Sequence, residues 1–160
     1  MKNHKLSKLL LALVVSGLAV PTLGQQLEEV VVTASKRAEN LQDVPQAVTA
    51  FSSERLVELG IVETSDLMGA IPNIQVTSAY GRTQPNFSIR GISVANEFSA
   101  ATASPVGVYV DEVYQSFRAS HGQQLFDLER VEVLRGPQGT LYGRNTTGGA
   151  VNVNQSLIHI

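Results

Sequence analysis

Beyond residue 24 the apolar residues of this chain come only in short stretches, each closed within a few positions by Gly, Pro, Asn or Ser. That punctuation limits the chain to short strands, helices of one or two turns, and long loops. No stretch there approaches the ~20 apolar residues that a membrane-spanning helix needs. The alternating segments of about 10 residues that build a transmembrane barrel are missing too, although a small barrel would fit by length. Cysteine is absent, which excludes disulfides, a thiolate nucleophile, cysteine-based metal sites and an acylated lipoprotein anchor. With strands and helices mingled and no fixed repeat, the expectation is an α+β domain: a small mixed sheet with short helices and long loops.

The first 24 residues are of another kind. Lys2, Lys5 and Lys8 form a basic start, Leu9 to Val20 is an apolar run of twelve residues, and Thr22-Leu23-Gly24 fits a cleavage site ahead of Gln25. This is the pattern of a secretory signal peptide, so the chain is expected to be exported. The formal net charge of the whole chain is −2. Without those three lysines nine basic residues face fourteen acids, a net of −5, and Lys36 is the one lysine left. An acidic body weighs against a polyanion as partner.

Residues 25–40 read as a polar arm with one apolar stretch, Val30-Val31-Val32, preceded by Glu28 and Glu29. No hairpin partner is evident nearby. The stretch suits either addition to the edge of another sheet or a first strand of the domain's own sheet. Val44 to Phe51 alternates in part and carries Pro45, as an edge strand can. Ser52 or Ser53 caps a short helix that Gly60 ends. A second helix starts near Thr64 or Ser65, presents Leu67, Ala70 and Ile71 on one face, and stops at Pro72. Strands are expected at Ile74 to Thr77, Phe87 to Ile92, Val106 to Tyr114, Val131 to Leu134 and Ala150 to Val153, with loops at 78–85, 93–105 and 115–124 and a turn at 125–130. Gly136 to Gly149 holds five glycines in fourteen residues.

Catalytic signals are missing. His4, His121 and His159 have no metal-ligand spacing, and no lysine follows the glycines as a phosphate-binding loop requires. Asp111 and Glu112 are adjacent, so on a strand they point to opposite faces and cannot work as a pair. Asn86-Phe87-Ser88 and Asn145-Thr146-Thr147 match glycosylation acceptors, a pattern common by chance. The chain is expected not to be an enzyme and to need no cofactor.

Several segments, in order, resemble one family. Leu27 to Ala34 (LEEVVVTA) is similar to the TonB box of TonB-dependent outer-membrane receptors. Leu41 to Val48 (LQDVPQAV) resembles the opening of their plug domain, Ala70 to Ile74 (AIPNI) its helix-to-strand junction, and Phe87 to Gly91 (FSIRG) its arginine-glycine strand. The most specific stretch is Phe126 to Gly139 (FDLERVEVLRGPQG), continued by Tyr142-Gly143 and by Gly148 to Val153 (GGAVNV).

The resemblance implies a layout and a role. Residues 1–24 are the signal peptide, 25–40 the flexible TonB-box arm, 41–153 the plug and 154–160 an aberrant tail. In such receptors the plug sits inside a 22-stranded barrel and gates energy-coupled uptake of a scarce nutrient, most commonly a ferric siderophore. The TonB box extends into the periplasm, where TonB, an inner-membrane energy transducer, pairs with it as a strand and pulls. TonB contact is implied for Glu28, Glu29, Val30, Val31, Val32, Thr33 and Ala34, and barrel-wall contact for Arg90, Glu129, Glu132 and Arg135. The family strand normally runs on after Val153, whereas here it becomes Asn154 to Ile160. A 22-stranded barrel needs roughly 220 residues at about 10 per strand, so this chain is expected to carry the plug without the barrel. It is then not transport-competent alone, and lies in the periplasm where its full-length parent lies in the outer membrane. The alternative is a free-standing periplasmic TonB-binding adaptor or signalling module.

Overall fold

A computed structural model describes residues 30–96, 98–99, 102–122 and 124–156. The expected signal peptide, Glu28, Glu29 and the last four residues lie outside this range. The centre of the molecule is a five-stranded sheet built from β3 (Val48–Ser52), β6 (Val106–Val110), β7 (Val113–Tyr114), β8 (Leu128–Arg135) and β9 (Gly149–Gln155). Its order is β3-β8-β9-β6-β7, all antiparallel except the parallel pair β6–β9. The mixed sheet and the short helices are those expected.

β8 sets the two faces. Val131 and Val133 point one way, and their register neighbours Phe51, Val151 and Val153 share that face. It packs against α1 (Ser53–Glu58), α2 (Leu67–Ala70) and the two-stranded sheet of β4 (Ile74–Thr77) and β5 (Asn86–Ile89). Leu56, Leu67, Ile71, Phe87 and Ile89 fill this main core and are buried. Glu132 and Leu134 point to the other face, beside Ala50, Ala150 and Asn152. That face is smaller and half polar, and it is closed by other parts of the chain.

The helices follow their caps. Ser52 Oγ accepts the Arg55 amide at 3.4 Å and starts α1. Gly60 takes φ +66° just beyond its end. A 3-10 turn (Thr64–Asp66) leads into α2, and the Asp66 carboxylate accepts the Val62 and Glu63 amides at 3.1 and 3.0 Å.

Several boundaries differ from the sequence reading: β3 begins at Val48, so Val44 and Pro45 precede the strand, and β9 runs on to Gln155. Val106 to Tyr114 is not one strand but a hairpin, turning at Asp111 and Glu112 with φ +47° and +67°. Two left-handed residues match the twist of the paired strands, and Asp111 Oδ1 fixes the turn by accepting the Gln155 amide at 2.8 Å. The turn lacks the usual Asn-Gly, which hid it. β5 ends at Ile89, because Arg90 and Gly91 (φ +53° and +79°) turn the chain so that Ile92 pairs back onto Ile89. β8 begins at Leu128, inside the expected turn, and continues to Arg135.

Candidate functional site

From residue 30 on, the arm covers the second face of the sheet. β1 (Val31–Val32) pairs antiparallel with β2 (Glu39–Asn40), and the Leu41 amide extends the ladder to the Val30 carbonyl at 3.0 Å. The expectation that the arm has no hairpin partner is therefore corrected. The partner lies seven residues on, too close and too polar to read as a strand, and the Lys36 amide closes the turn onto the Thr33 carbonyl at 2.8 Å.

Strand alternation divides the arm's side chains. Val31 is 44% exposed, whereas Val32 and Ala34 are fully buried against Tyr109, Leu134, Tyr142 and Ala150. Between them Thr33 meets charge. Its amide donates to Glu132 Oε1 at 2.7 Å and its hydroxyl to the same oxygen at 3.1 Å. Arg130 Nε donates to that oxygen at 2.7 Å, and Arg130 Nη2 reaches the Thr33 hydroxyl at 3.3 Å. Residues 130 and 132 are two apart on a strand, so both side chains stand on the arm's face.

Lys36 ends the docked segment. Its ammonium lies 4.6 Å from the centre of the Tyr142 ring, 5.7 Å from that of Tyr109 and 3.7 Å from Glu112 Oε2. Such a cation–π contact contributes about 0.5–1 kcal/mol at an exposed site and about 2 when desolvated. The two rings meet edge-on at 5.0 Å, and the Tyr109 hydroxyl donates to the Tyr142 carbonyl at 2.5 Å. Burial, with Glu132, Glu112 and Tyr109 nearby, pushes the Tyr142 hydroxyl well above its ordinary value. Tyr142 therefore stays a neutral ring under the lysine. Sequence reading missed Lys36, Arg130, Tyr109 and Tyr142. The isolated position of Lys36 as the one lysine beyond residue 24 was the available signal.

Glu129, Arg90 and Arg135 lie away from the arm. Glu129 is exposed and pairs with Arg130. Glu132, for which the resemblance implies a wall contact, is fully buried and turned towards the arm. Arg90 lies across Gly136: a Cβ there would sit 3.2 Å from Arg90 Nη1. Arg135 precedes Gly136, and its Nε is buried without a hydrogen-bond partner among the described residues. Among those residues neither arginine has a carboxylate within salt-bridge distance.

The three long loops meet around a buried arginine. Arg118, in a 3-10 turn (Arg118–His121), donates through Nη1 to Asn86 Oδ1 at 2.7 Å and through Nη2 to the Ser99 carbonyl. Tyr80 donates to the Phe98 carbonyl at 3.2 Å, and their rings meet edge-on. A Cβ on Gly122 would fall 2.6 Å from the carbonyl oxygens of Arg82 and Thr83. The loops thus form one packed end that presents Tyr80, Phe98 and Phe117 to solvent.

Comparison with known proteins gives one consistent picture. The profile of the TonB-dependent Receptor Plug Domain matches residues 40–150. The chain is 32% identical over 148 residues to the pesticin receptor of Yersinia pestis, covering 88% of this chain and 21% of that receptor. It is 28% identical over 138 residues to the iron-regulated outer membrane virulence protein of Vibrio cholerae, covering 79% of this chain and 20% of that protein. Among solved structures, the ferric yersiniabactin uptake receptor FyuA from Yersinia pestis superposes with a TM-score of 0.62 at 32% identity, over 69% of this chain and 17% of that one. The chain therefore spans about a fifth of the length of the curated relatives it matches.

Proposed function

We propose, from the premise that this chain belongs to the TonB-dependent receptor plug domain family, that residues 41–153 gate a receptor pore and that residues 25–40 are the arm TonB engages. Residues 1–24 then direct export, residues 154–160 follow the matched plug segment with Asn154 and Gln155 still continuing β9, and the parent receptor works in the outer membrane.

The edge of β1 carries this reading. In an antiparallel ladder successive residues turn their amide and carbonyl groups towards and away from the partner strand. The Val30 carbonyl faces β2, so the Val31 groups and the Thr33 amide face away. At Thr33 that outer edge is met by a carboxylate side chain and not by a strand. A strand edge not paired with another strand is a template for strand addition. TonB would supply the missing strand, with main-chain hydrogen bonds giving the affinity. Glu28 and Glu29 would extend the contact upstream, and Val30 to Ala34 would form it.

Arg90 and Arg135 support the second half of the reading. A guanidinium without an acid is costly at an enclosed surface, and carboxylates on a barrel wall would neutralise Arg90 and Arg135 alike. Glu129 is exposed and able to join such a contact. Glu132 reaches a wall only once the arm has left its seat. The packed loop end carrying Tyr80, Phe98 and Phe117 would face the ligand. FyuA, a ferric yersiniabactin uptake receptor, supports a ferric siderophore as the cargo.

The test is a titration of the purified chain with the periplasmic part of TonB, followed by the amide resonances of the chain. Perturbation confined at first to residues 28–34 is expected. Binding that leaves those amides unmoved contradicts the assignment.

A further inference from the structure

We infer that His121 is a proton-operated pin: with its ring neutral it seats the 3-10 turn Arg118–His121 against the neighbouring loops, and a second proton on the ring unseats that turn. None of the contacts involved belongs to the arm, so this switch stands or falls apart from TonB binding.

The turn is seated by contacts from several parts of the chain. Thr64 donates its hydroxyl to the His121 carbonyl at 2.5 Å, and Arg118 reaches Asn86 of β5 and the Ser99 carbonyl. Gly122 follows the turn and lies so close to the Arg82 and Thr83 carbonyls that a Cβ would not fit. The His121 ring is buried in this joint, 2% exposed. Its Nε2 lies 2.9 Å from the Gln115 carbonyl and donates to it. Its Nδ1 is buried without a hydrogen-bond partner among the described residues. A neutral imidazole carries one N–H, and the Gln115 carbonyl takes it.

A second proton must go on Nδ1, where it meets no acceptor and leaves a charged ring out of water. The surroundings do not compensate. Burial, with the like charge of Arg118 on the same turn, holds the ring below its ordinary value of 6.5. Thr64, Asn86 and the Ser99 carbonyl offer neutral groups. Arg82 is the charged side chain of the facing turn (Gly81–Thr83), and it holds Glu63 and Asp66 at 2.7 and 2.5 Å. Tyr114 of β7 is engaged by Asn145. Among the described residues no carboxylate lies within salt-bridge distance of His121. The charged ring therefore gains by reaching water, which it does when the turn leaves its seat. The closed turn keeps the ring neutral and the open turn does not, so closure is firm above the ordinary value of 6.5 and weakens below it. Each further pH unit favours the open turn by up to about 10-fold, until the closed ring itself titrates.

The experiment uses the purified chain, unsubstituted and with His121→Gln, which keeps a side-chain N–H for the Gln115 carbonyl and cannot titrate. Hydrogen exchange is read at pH 7.5 and 5.5, corrected for the intrinsic effect of pH. The reporters are the Ser120 and Leu125 amides, bonded to the Phe117 and Val62 carbonyls, with the amides of the β8–β9 ladder as reference. In the unsubstituted chain the two loop amides should exchange about 5- to 10-fold faster at the lower pH, with a smaller change in the ladder. His121→Gln should abolish that difference between loop and ladder. Equal loop rates at the two pH values overturn the switch. So does an equal change in the ladder, which reports unfolding of the whole domain, or a loop change that survives in His121→Gln. Should that variant fail to fold, the His121 ring resonances of the unsubstituted chain decide. Titration in step with loop exchange supports the pin, and titration near the ordinary 6.5 with the loop amides still protected overturns it.

Discussion

Gly149→Ala should unfold or severely destabilise the domain, while Gly69→Ala should stabilise it. Gly149 opens β9 opposite Arg135 of β8, with φ +155°. A Cβ there would lie 2.3 Å from the Leu134 carbonyl oxygen and 2.8 Å from Ile89 Cδ1. The oxygen belongs to the β8–β9 ladder and Ile89 is fully buried, so neither can yield cheaply. Overpacking costs about 1–3 kcal/mol, and holding a residue with a Cβ at this φ costs about 1–3 more. The sum, roughly 2–6 kcal/mol, rivals the whole stability of many domains. Gly69 sits in α2 with nothing within 4 Å of its added Cβ, and alanine gains about 0.5–1 kcal/mol in a helix. Urea unfolding followed by circular dichroism reads both variants. A Gly149→Ala midpoint equal to that of the unsubstituted chain would refute the close approach of β8 and β9. It would also reopen the glycine-dense segment to a ligand-binding explanation.

Two further predictions concern stability. His121 is buried, and burial together with neighbouring Arg118 holds its imidazole below the ordinary value of 6.5, against the Gln115 carbonyl that favours the charged form. The folded state keeps it neutral, so the unfolded chain binds more protons below about pH 6.5 and stability falls as the pH drops through that point. Melting temperatures at pH 7.5 and 5.5 should differ, and His121→Gln should flatten the difference; an unchanged slope counts against this. Asp66, held below 3.8 chiefly by the Glu63 amide and also by the Val62 amide and Arg82, loses its contribution only at lower pH, which separates the two effects. The chain also leaves Val57, Val113, Phe117 and Phe126 more than 60% exposed. A low melting temperature is expected for the chain alone, and a cooperative transition above about 90 °C, the hyperstable range, would contradict it.

The ordered motifs from Leu27 to Val153 made the family legible, and short apolar stretches between Gly and Pro made the α+β class legible. Ser52, Gly60 and Pro72 marked helix ends because caps are local chemistry. The Asp111-Glu112 turn was not legible, since its left-handed residues are held by the distant Gln155 amide and not by a glycine. The burial of Glu132 was hidden for a similar reason. A charged residue on an alternating strand reads as solvent-facing, and only the tertiary placement of the arm covers it. The seat of Lys36 depends on Tyr109 and Tyr142, which lie 73 and 106 positions further along the chain. Local pattern cannot join residues so far apart.

The central claim, that TonB pairs with the arm as a strand, is tested most directly at Val31. Its amide faces away from β2 and its side chain is exposed, so neither substitution removes a hydrogen bond or a buried contact of the arm's own hairpin. Val31→Pro removes the outward donor and bends the strand, at a cost of about 0.5–1.5 kcal/mol for the hydrogen bond alone. Val31→Ala removes only exposed methyl groups. Titration of both with the periplasmic part of TonB should show affinity within about 2-fold of the unsubstituted chain for alanine and about 10-fold weaker for proline, since each 1.4 kcal/mol is a factor of ten. Equal binding by the two variants would contradict strand addition.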